Sequence, residues 1–305
     1  MKFVDACSAQ GFNLVEFPEI MPAYLMDSKF VEQDWMIKKP GTDEPFVLTP
    51  EITAFYASLI GQNTGIDALK NISYVATCYR ENRFVQLGLE SISSNVESDI
   101  RVISTAYDFL ESLGLADYFE IVVNDLSQLK RFVSDVGVDK EYVIPVLKIL
   151  DKYSGIIRAG TTDIDEAFTS EVSSYVSDAG VRKELLNLAK SNQYDKEFSS
   201  EFKEILSDLS DKKNLRVGAS LARGLSYYNS LPPRESTPIF EIYSKTDLEQ
   251  ICGGGRYDGL MGRLNPKLQN TEFDSGIGFA FGLERVFKVL MSKYQSFEKM
   301  SEVLR

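Results

Sequence analysis

The chain has 305 residues, 44% hydrophobic and 26% charged, which suits one large globular domain or a core carrying a smaller insertion. Its net charge of −12 argues against a general electrostatic grip on nucleic acid, although a local basic patch can still bind RNA. Histidine is absent, which excludes Ser-His and Cys-His catalysis, imidazole bases and His-ligated zinc, and leaves chemistry to Arg, Glu, Asp, Tyr and Lys.

No apolar run approaches membrane-spanning length, and the opening MKFVDACSAQGF lacks the apolar stretch of a signal peptide, so the expected location is the cytoplasm. Cys7, Cys78 and Cys252 are far apart and form no CxxC spacing, so they read as reduced core residues.

Taken in chain order, residues 1–11 read as helix and Asn13–Phe17 as an extended segment stopped by Pro18. FVLT (46–49) reads as a short strand, after which Pro50-Glu51 opens a helix at the position that tolerates proline. ISYVATCY (72–79) and RFVQLGLES (83–91), joined by a tight connection, read as an antiparallel hairpin. Ile100, Ile103, Ala106, Phe109 and Leu110 recur at helical spacing across 98–113, and YFEIVVN (118–124) is β-rich. From 125 to 212 charged and small polar residues dominate and strands are hard to find, which predicts a mostly helical insertion. Strand signals return over 215–290 in LRVGASLA, SYYNS, PIFEIY, LEQICGGG and SGIGFAF, the last running into the helix LERVFKVLMSK. The expected class is therefore α+β, a largely antiparallel sheet flanked by helices.

Four segments could carry chemistry. In GGGRYDGL (253–260) the glycines let backbone approach a ligand and Arg256 could pair with a carboxylate or phosphate; the alternative is a glycine-rich turn with a structural salt bridge. ARGLSYY (222–228) sets an arginine on a glycine-hinged strand beside paired tyrosines, of which at least one would be core. GFAFGLER (278–285) is a small-residue strand entering a helix that bears an arginine, or else close strand–helix packing with a surface ion pair. In YRENRFVQLGLE (79–90), Arg80 and Arg83 flank a turn, while Gln86, Gly88 and Glu90 share one sheet face. The alternative there is a solvated hairpin edge.

In order, FVLTPEITA (46–54), YR…QLGLE (79–90), LARGLSYY (221–228), GGGRYDGL and GFAFGLER resemble the successive signatures of histidyl-tRNA synthetases, and the resemblance spans nearly the whole chain apart from 125–212. It implies a class II aminoacyl-tRNA synthetase-like core, 1–124 and 213–305, with an antiparallel sheet of roughly six or seven strands and usually a homodimer. Helix 1–11 and the segment ending at Pro18 look like motif 1, which forms much of the dimer interface in that family. The resemblance also implies ATP-dependent activation of histidine, of the histidine–tRNA ligase type, with magnesium bridging phosphate oxygens. Arg80, Arg223 and Arg285 match the catalytic arginines, and Arg83 and Glu284 join Arg80 and Arg285 as ATP-binding positions. Glu51 and Thr53 match positions that hold the α-amino group, and Gln86 sits near the same histidine pocket. Glu90, Tyr257 and one of Tyr227 or Tyr228 match those around the imidazole, where a carboxylate and a phenol can satisfy the two ring nitrogens.

The chain also departs from the family's pattern. Only ENRFVQL separates Arg80 from Gly88, where relatives carry a longer loop that touches ATP and the tRNA acceptor end. Ser226 replaces the usual aspartate of RGLDYY, and no C-terminal anticodon-binding domain is expected in the residues after Arg285. The regulatory subunit of ATP phosphoribosyltransferase, a histidine-sensing paralogue from histidine biosynthesis, shares the synthetase core without that domain. Such subunits usually lose the arginines of the RGL and GLER segments, which this chain keeps as Arg223 and Arg285. The main expectation is thus a histidine- and ATP-binding core that forms the adenylate, with tRNA a doubtful partner. The alternative is a non-catalytic regulator that partners the phosphoribosyltransferase catalytic subunit.

Overall fold

The computed structural model describes residues 2–25, 36–38, 41, 43–62, 65, 67–193, 197–223 and 234–304. Its main sheet has eight strands: β1 (Asn13–Leu14), β5 (Asn71–Tyr79), β6 (Arg83–Ile92), β11 (Gly276–Gly282), β10 (Gln250–Arg256), β9 (Pro238–Ser244), β7 (Phe119–Asp125) and β8 (Leu215–Val217), in that spatial order. The six inner strands are antiparallel throughout. Two very short outer strands, β1 and β8, pair in parallel with β5 and β7. These edges are what carry the sheet beyond the strand number expected from the sequence. A separate three-stranded sheet joins β2 (Ile20–Pro22), β4 (Pro45–Leu48) and β3 (Met36–Lys38).

Alternation of side chains on the strands gives the main sheet two apolar faces, each covered by helices. On one face Ile72, Tyr74, Ala76, Cys78 and Ile239 pack against α2 (Thr53–Gln62), α4 (Leu126–Asp135), α5 (Val143–Arg158), α6 (Asp165–Ser173), α7 (Ala179–Ser191) and α9 (Leu260–Leu264). On the other, Leu87, Leu89, Ile121, Phe240, Phe279 and Phe281 meet α1 (Lys2–Ala9), α3 (Val96–Ser112), α8 (Ser200–Asp208), α10 (Leu283–Tyr294) and α11 (Phe297–Leu304). Between Leu126 and Asp208 the described residues form five helices and no strand. Apolar side chains of these five reach both faces of the sheet: α8 packs with α3, whereas Leu129, Val146, Leu150, Phe168 and Leu185 join the opposite core.

The β5–β6 hairpin forms as the alternating pattern requires, with Tyr79 opposite Arg83 and Ile72 opposite Glu90. Gly88, in the middle of β6, faces the Tyr74 ring, and a Cβ there would also press on the Phe279 carbonyl. Helix α2 begins at Thr53, later than the sequence suggests. The Glu51 carboxylate takes the N–H of Ala54 at 2.8 Å, so this side chain satisfies a first-turn donor from outside the helix. All three cysteines are buried and free, and burial pushes the Cys7 and Cys78 thiols up to about 12. They behave as small apolar side chains. Among the described residues, no helix is long and apolar enough to cross a membrane.

Candidate active site

One cleft of about 980 Å3 opens between the β5–β6 turn, strands β10 and β11, the start of α10 and the flank of α5. It gathers Glu51, Thr53, Arg80, Arg83, Gln86, Arg223, Tyr257, Glu284 and Arg285, residues drawn from positions more than two hundred apart in the chain. A smaller cavity of about 290 Å3 shares Asp151, Glu241 and Gln250 with it.

Glu90 on β6 does not line the cleft; it is fully buried behind Thr53 and Tyr257, which do. The Thr53 hydroxyl donates to one of its carboxylate oxygens at 2.7 Å and the Tyr257 hydroxyl to the other at 2.8 Å. Burial pushes this carboxyl up to about 8; the two hydroxyl bonds pull it down, and nearby Glu51 adds to the rise. Only glycine is compatible with position 278 across the sheet, since a Cβ there would collide with the Glu90 carboxylate. Glu51 is also raised, first by burial, while the Ala54 N–H, the Arg80 charge and the Thr53 N–H oppose the shift. Gln86 accepts a bond from the Cys78 thiol at 3.4 Å.

The arginines stand around the walls. Arg80 leaves β5 just before the turn, donates from Nε to the Pro50 carbonyl at 3.1 Å and lies 5.4 Å from the Phe84 ring centroid, so it is braced beside Glu51. Arg83 opens β6 and reaches Thr77 Oγ1 at 3.3 Å. Arg285, in the first turn of α10, donates to the Gln250 carbonyl at 2.6 Å and pairs with Glu249 at 3.2 Å, with half of its side chain exposed. Its neighbour Glu284 receives the Val85 N–H at 3.1 Å, which ties α10 to the hairpin.

Arg223 is not on a strand, contrary to the sequence reading. Its backbone has a φ of 57°, in the left-handed region that costs a side-chain-bearing residue about 1–2 kcal/mol. From there the guanidinium lies over Gly253, where a Cβ would collide with it, and bonds Glu241 at 3.2 Å. Glu241 in turn accepts from the Tyr243 hydroxyl, and Arg158 stacks 3.7 Å from the Tyr243 ring centroid.

Arg256 is the arginine whose structural alternative prevails. It is completely buried and bonded to Asp99 at 2.5 and 2.9 Å, to Asp258 at 2.9 Å and to the Ser93 carbonyl at 2.7 Å. Arg234 holds the other Asp99 oxygen at 2.9 Å. This network anchors the segment that carries Tyr257. Tyr227 and Tyr228 lie outside the described residues. Sequence reasoning did not single out Asp151, Glu241, Glu249 or Gln250, all of which line the cleft. Glu241 alone left a trace, as a charged residue inside the otherwise apolar run PIFEIY.

A six-strand antiparallel core flanked by helices, with arginines on the hairpin, at the start of α10 and above a glycine-rich strand, is a class II aminoacyl-tRNA synthetase-like catalytic core. A family profile described as Histidyl-tRNA synthetase matches residues 1–286, and the chain belongs to that family. It is 29% identical over an alignment of 280 residues to the histidine–tRNA ligase of Methanocaldococcus jannaschii, covering 84% of this chain and 61% of that protein. It is 27% identical over 313 to that of Methanococcus aeolicus, covering 93% and 70%. The chain thus spans between about three fifths and seven tenths of these relatives' length. In fold it is similar to a histidyl-tRNA synthetase from Nostoc, at a TM-score of 0.75 and 15% identity, covering 95% of this chain and 70% of that one. It is also similar to a chain of the ATP phosphoribosyl transferase complex from Thermotoga maritima, at 0.60 and 15%, covering 92% and 94%.

Proposed function

We propose that the chain binds histidine and ATP in the cleft and joins them as histidyl-adenylate. The observation that carries this reading is the convergence of Arg80, Arg223 and Arg285 on one cleft, with Glu90 buried behind its lining residues Thr53 and Tyr257. In the reaction a histidine carboxylate oxygen attacks the α-phosphorus of ATP. The bond from that phosphorus to the bridging oxygen breaks, and pyrophosphate leaves. No proton has to move, so a histidine-free enzyme can do this by placing positive charge where negative charge gathers.

Arg80, beside Glu51, would hold the histidine carboxylate and the α-phosphate together. Arg223 would meet the α-phosphate from the opposite wall, and Arg285, with Arg83 and Glu284 at the cleft edge, would hold the nucleotide. Glu51, Thr53 and Gln86 would take the α-ammonium, whose charge restores the ionised state that burial disfavours in Glu51. Glu90 and Tyr257 would read the imidazole nitrogens, with Tyr227 or Tyr228 as a third contact.

Among the described residues no cluster of three acidic or thiol side chains could hold a metal by itself. Magnesium arriving with the nucleotide would neutralise phosphate charge, and Glu249 and Glu241, both on the cleft lining, are the carboxylates that would help hold it. Residues 1–124 and 213–305 would form the catalytic unit, with 125–212 as its helical insertion, acting in the cytoplasm as a homodimer through the segments before Pro18. The tight turn at Arg80–Asn82 leaves little backbone to reach a tRNA acceptor end.

The likeness to a chain of the phosphoribosyl transferase complex, nearly all of which is covered, favours one second reading: a histidine-sensing subunit for a phosphoribosyltransferase. A single-turnover reaction with α-labelled ATP and histidine separates the two. Enzyme-bound labelled adenylate supports activation. Histidine binding without adenylate, together with capture of a phosphoribosyltransferase chain, would transfer the protein to the second reading.

A further inference from the structure

We propose that Asp151, on α5 of the helical segment, is a positioning residue that sets the Arg223 guanidinium; the inference rests on the reading of Arg223 as a phosphate-facing group. Asp151 Oδ1 accepts two successive backbone N–H groups, from Ala222 and Arg223, each at 3.1 Å. One of these bonds falls on Arg223, the only non-glycine residue with a left-handed backbone among the described residues that line the cleft. The conformation is unfavourable for an arginine, so something outside the segment has to hold it, and a shared acceptor on a packed helix does so.

The consequence for the side chain is geometric. With φ at 57°, the guanidinium is directed across Gly253 to Glu241. An ordinary right-handed or extended φ would send it elsewhere. Two turns further along the same face of α5, Arg158 stacks on Tyr243, the tyrosine that donates to Glu241. One helix therefore grips both the backbone of Arg223 and the partner chain of its guanidinium. Asp151 also lines the cleft and the adjoining cavity, so the contact lies at the junction of the helical segment and the site. The position of α5 and the aim of Arg223 are thereby coupled.

The test compares Asp151→Ala with Asp151→Asn, which keeps the acceptor oxygen and removes the charge. Two readouts apply: histidine-dependent ATP–pyrophosphate exchange, and hydrogen–deuterium exchange at the amides of Ala222 and Arg223. D151A should lower kcat by about ten- to a hundredfold with little change in the KM for histidine, as expected when a transition-state contact is misplaced. It should also speed deuteration of the two amides by about tenfold. D151N should restore most of both. Unchanged amide protection in D151A, or a D151N as defective as D151A, would overturn the proposal. If wild-type protein gives no exchange activity, it is the function that fails, and the deuteration readout still decides the positioning. If D151A does not fold, Asp151→Glu, which displaces the acceptor by one methylene, replaces it with the same expected losses.

Discussion

The hydroxyl of Tyr257 and the carboxylate of Glu90 meet at 2.8 Å beneath the cleft, although 167 residues separate them in the chain. This contact buries a carboxyl that the Thr53 hydroxyl touches from the other side and that burial pushes up to about 8. In the unfolded chain the same group ionises near its ordinary value of 4.5. Between those limits the folded state binds more protons, so its stability falls as pH rises. Glu90→Gln removes the titration. Wild-type melting temperature should decline relative to E90Q from pH 5 to pH 8 and hold a constant difference below about pH 4. A parallel pH dependence in both proteins would show that Glu90 ionises normally.

If the cleft binds histidine as proposed, the same proton governs that binding. Free histidine carries an imidazolium below about pH 6.5, while Glu90 keeps its proton to about pH 8. Between these limits imidazole and carboxyl together hold one proton before and after binding. Below them binding must release a proton, and above them it must take one up. Affinity measured by calorimetry should therefore be greatest between about pH 6.5 and 8 and fall on both sides. E90Q should lose the alkaline limb.

Gly278 tests the packing behind the pocket. A Cβ there would collide with the Glu90 carboxylate and press on the Leu89 carbonyl. Gly278→Ala should weaken histidine binding by at least about tenfold, and cost roughly 1–3 kcal/mol of stability through overpacking. ATP binding, which does not involve that wall of the pocket in this account, should change far less. Parallel titrations with the two ligands make the comparison.

Arg256 tests the anchor. Replacing it with methionine leaves Asp258 and part of Asp99 buried without their cation. Breaking one partner of such a buried cluster costs about 3–5 kcal/mol, because the remaining charges stay out of water. Urea unfolding of R256M should show a loss of that order. A loss below about 1 kcal/mol would mean that Arg234 alone can satisfy Asp99.

Legibility followed the range of the interactions. The β5–β6 hairpin was readable because both the two-residue alternation and its turn lie within 79–90. What the sequence could not report were pairings across distance. Arg256, following three glycines, looks like a ligand residue until Asp99 arrives from 157 positions away. Asp151 sits in DKYSG, where an aspartate on a helix ordinarily faces water; only the folded chain brings it beneath Ala222 and Arg223. The left-handed backbone that removes Arg223 from the expected strand is held by that same remote contact. Cleft arginines were found through the ordered motifs, whereas their counter-charges, Glu241 and Glu249, were not.

The most direct measurement for the central claim is ATP–pyrophosphate exchange with the purified protein across the twenty amino acids. Exchange should depend on histidine, remain at background with the other nineteen, and fall by about a hundredfold or more in Arg223→Ala and Arg285→Ala. Background exchange with histidine, or exchange that survives both substitutions unchanged, would contradict it.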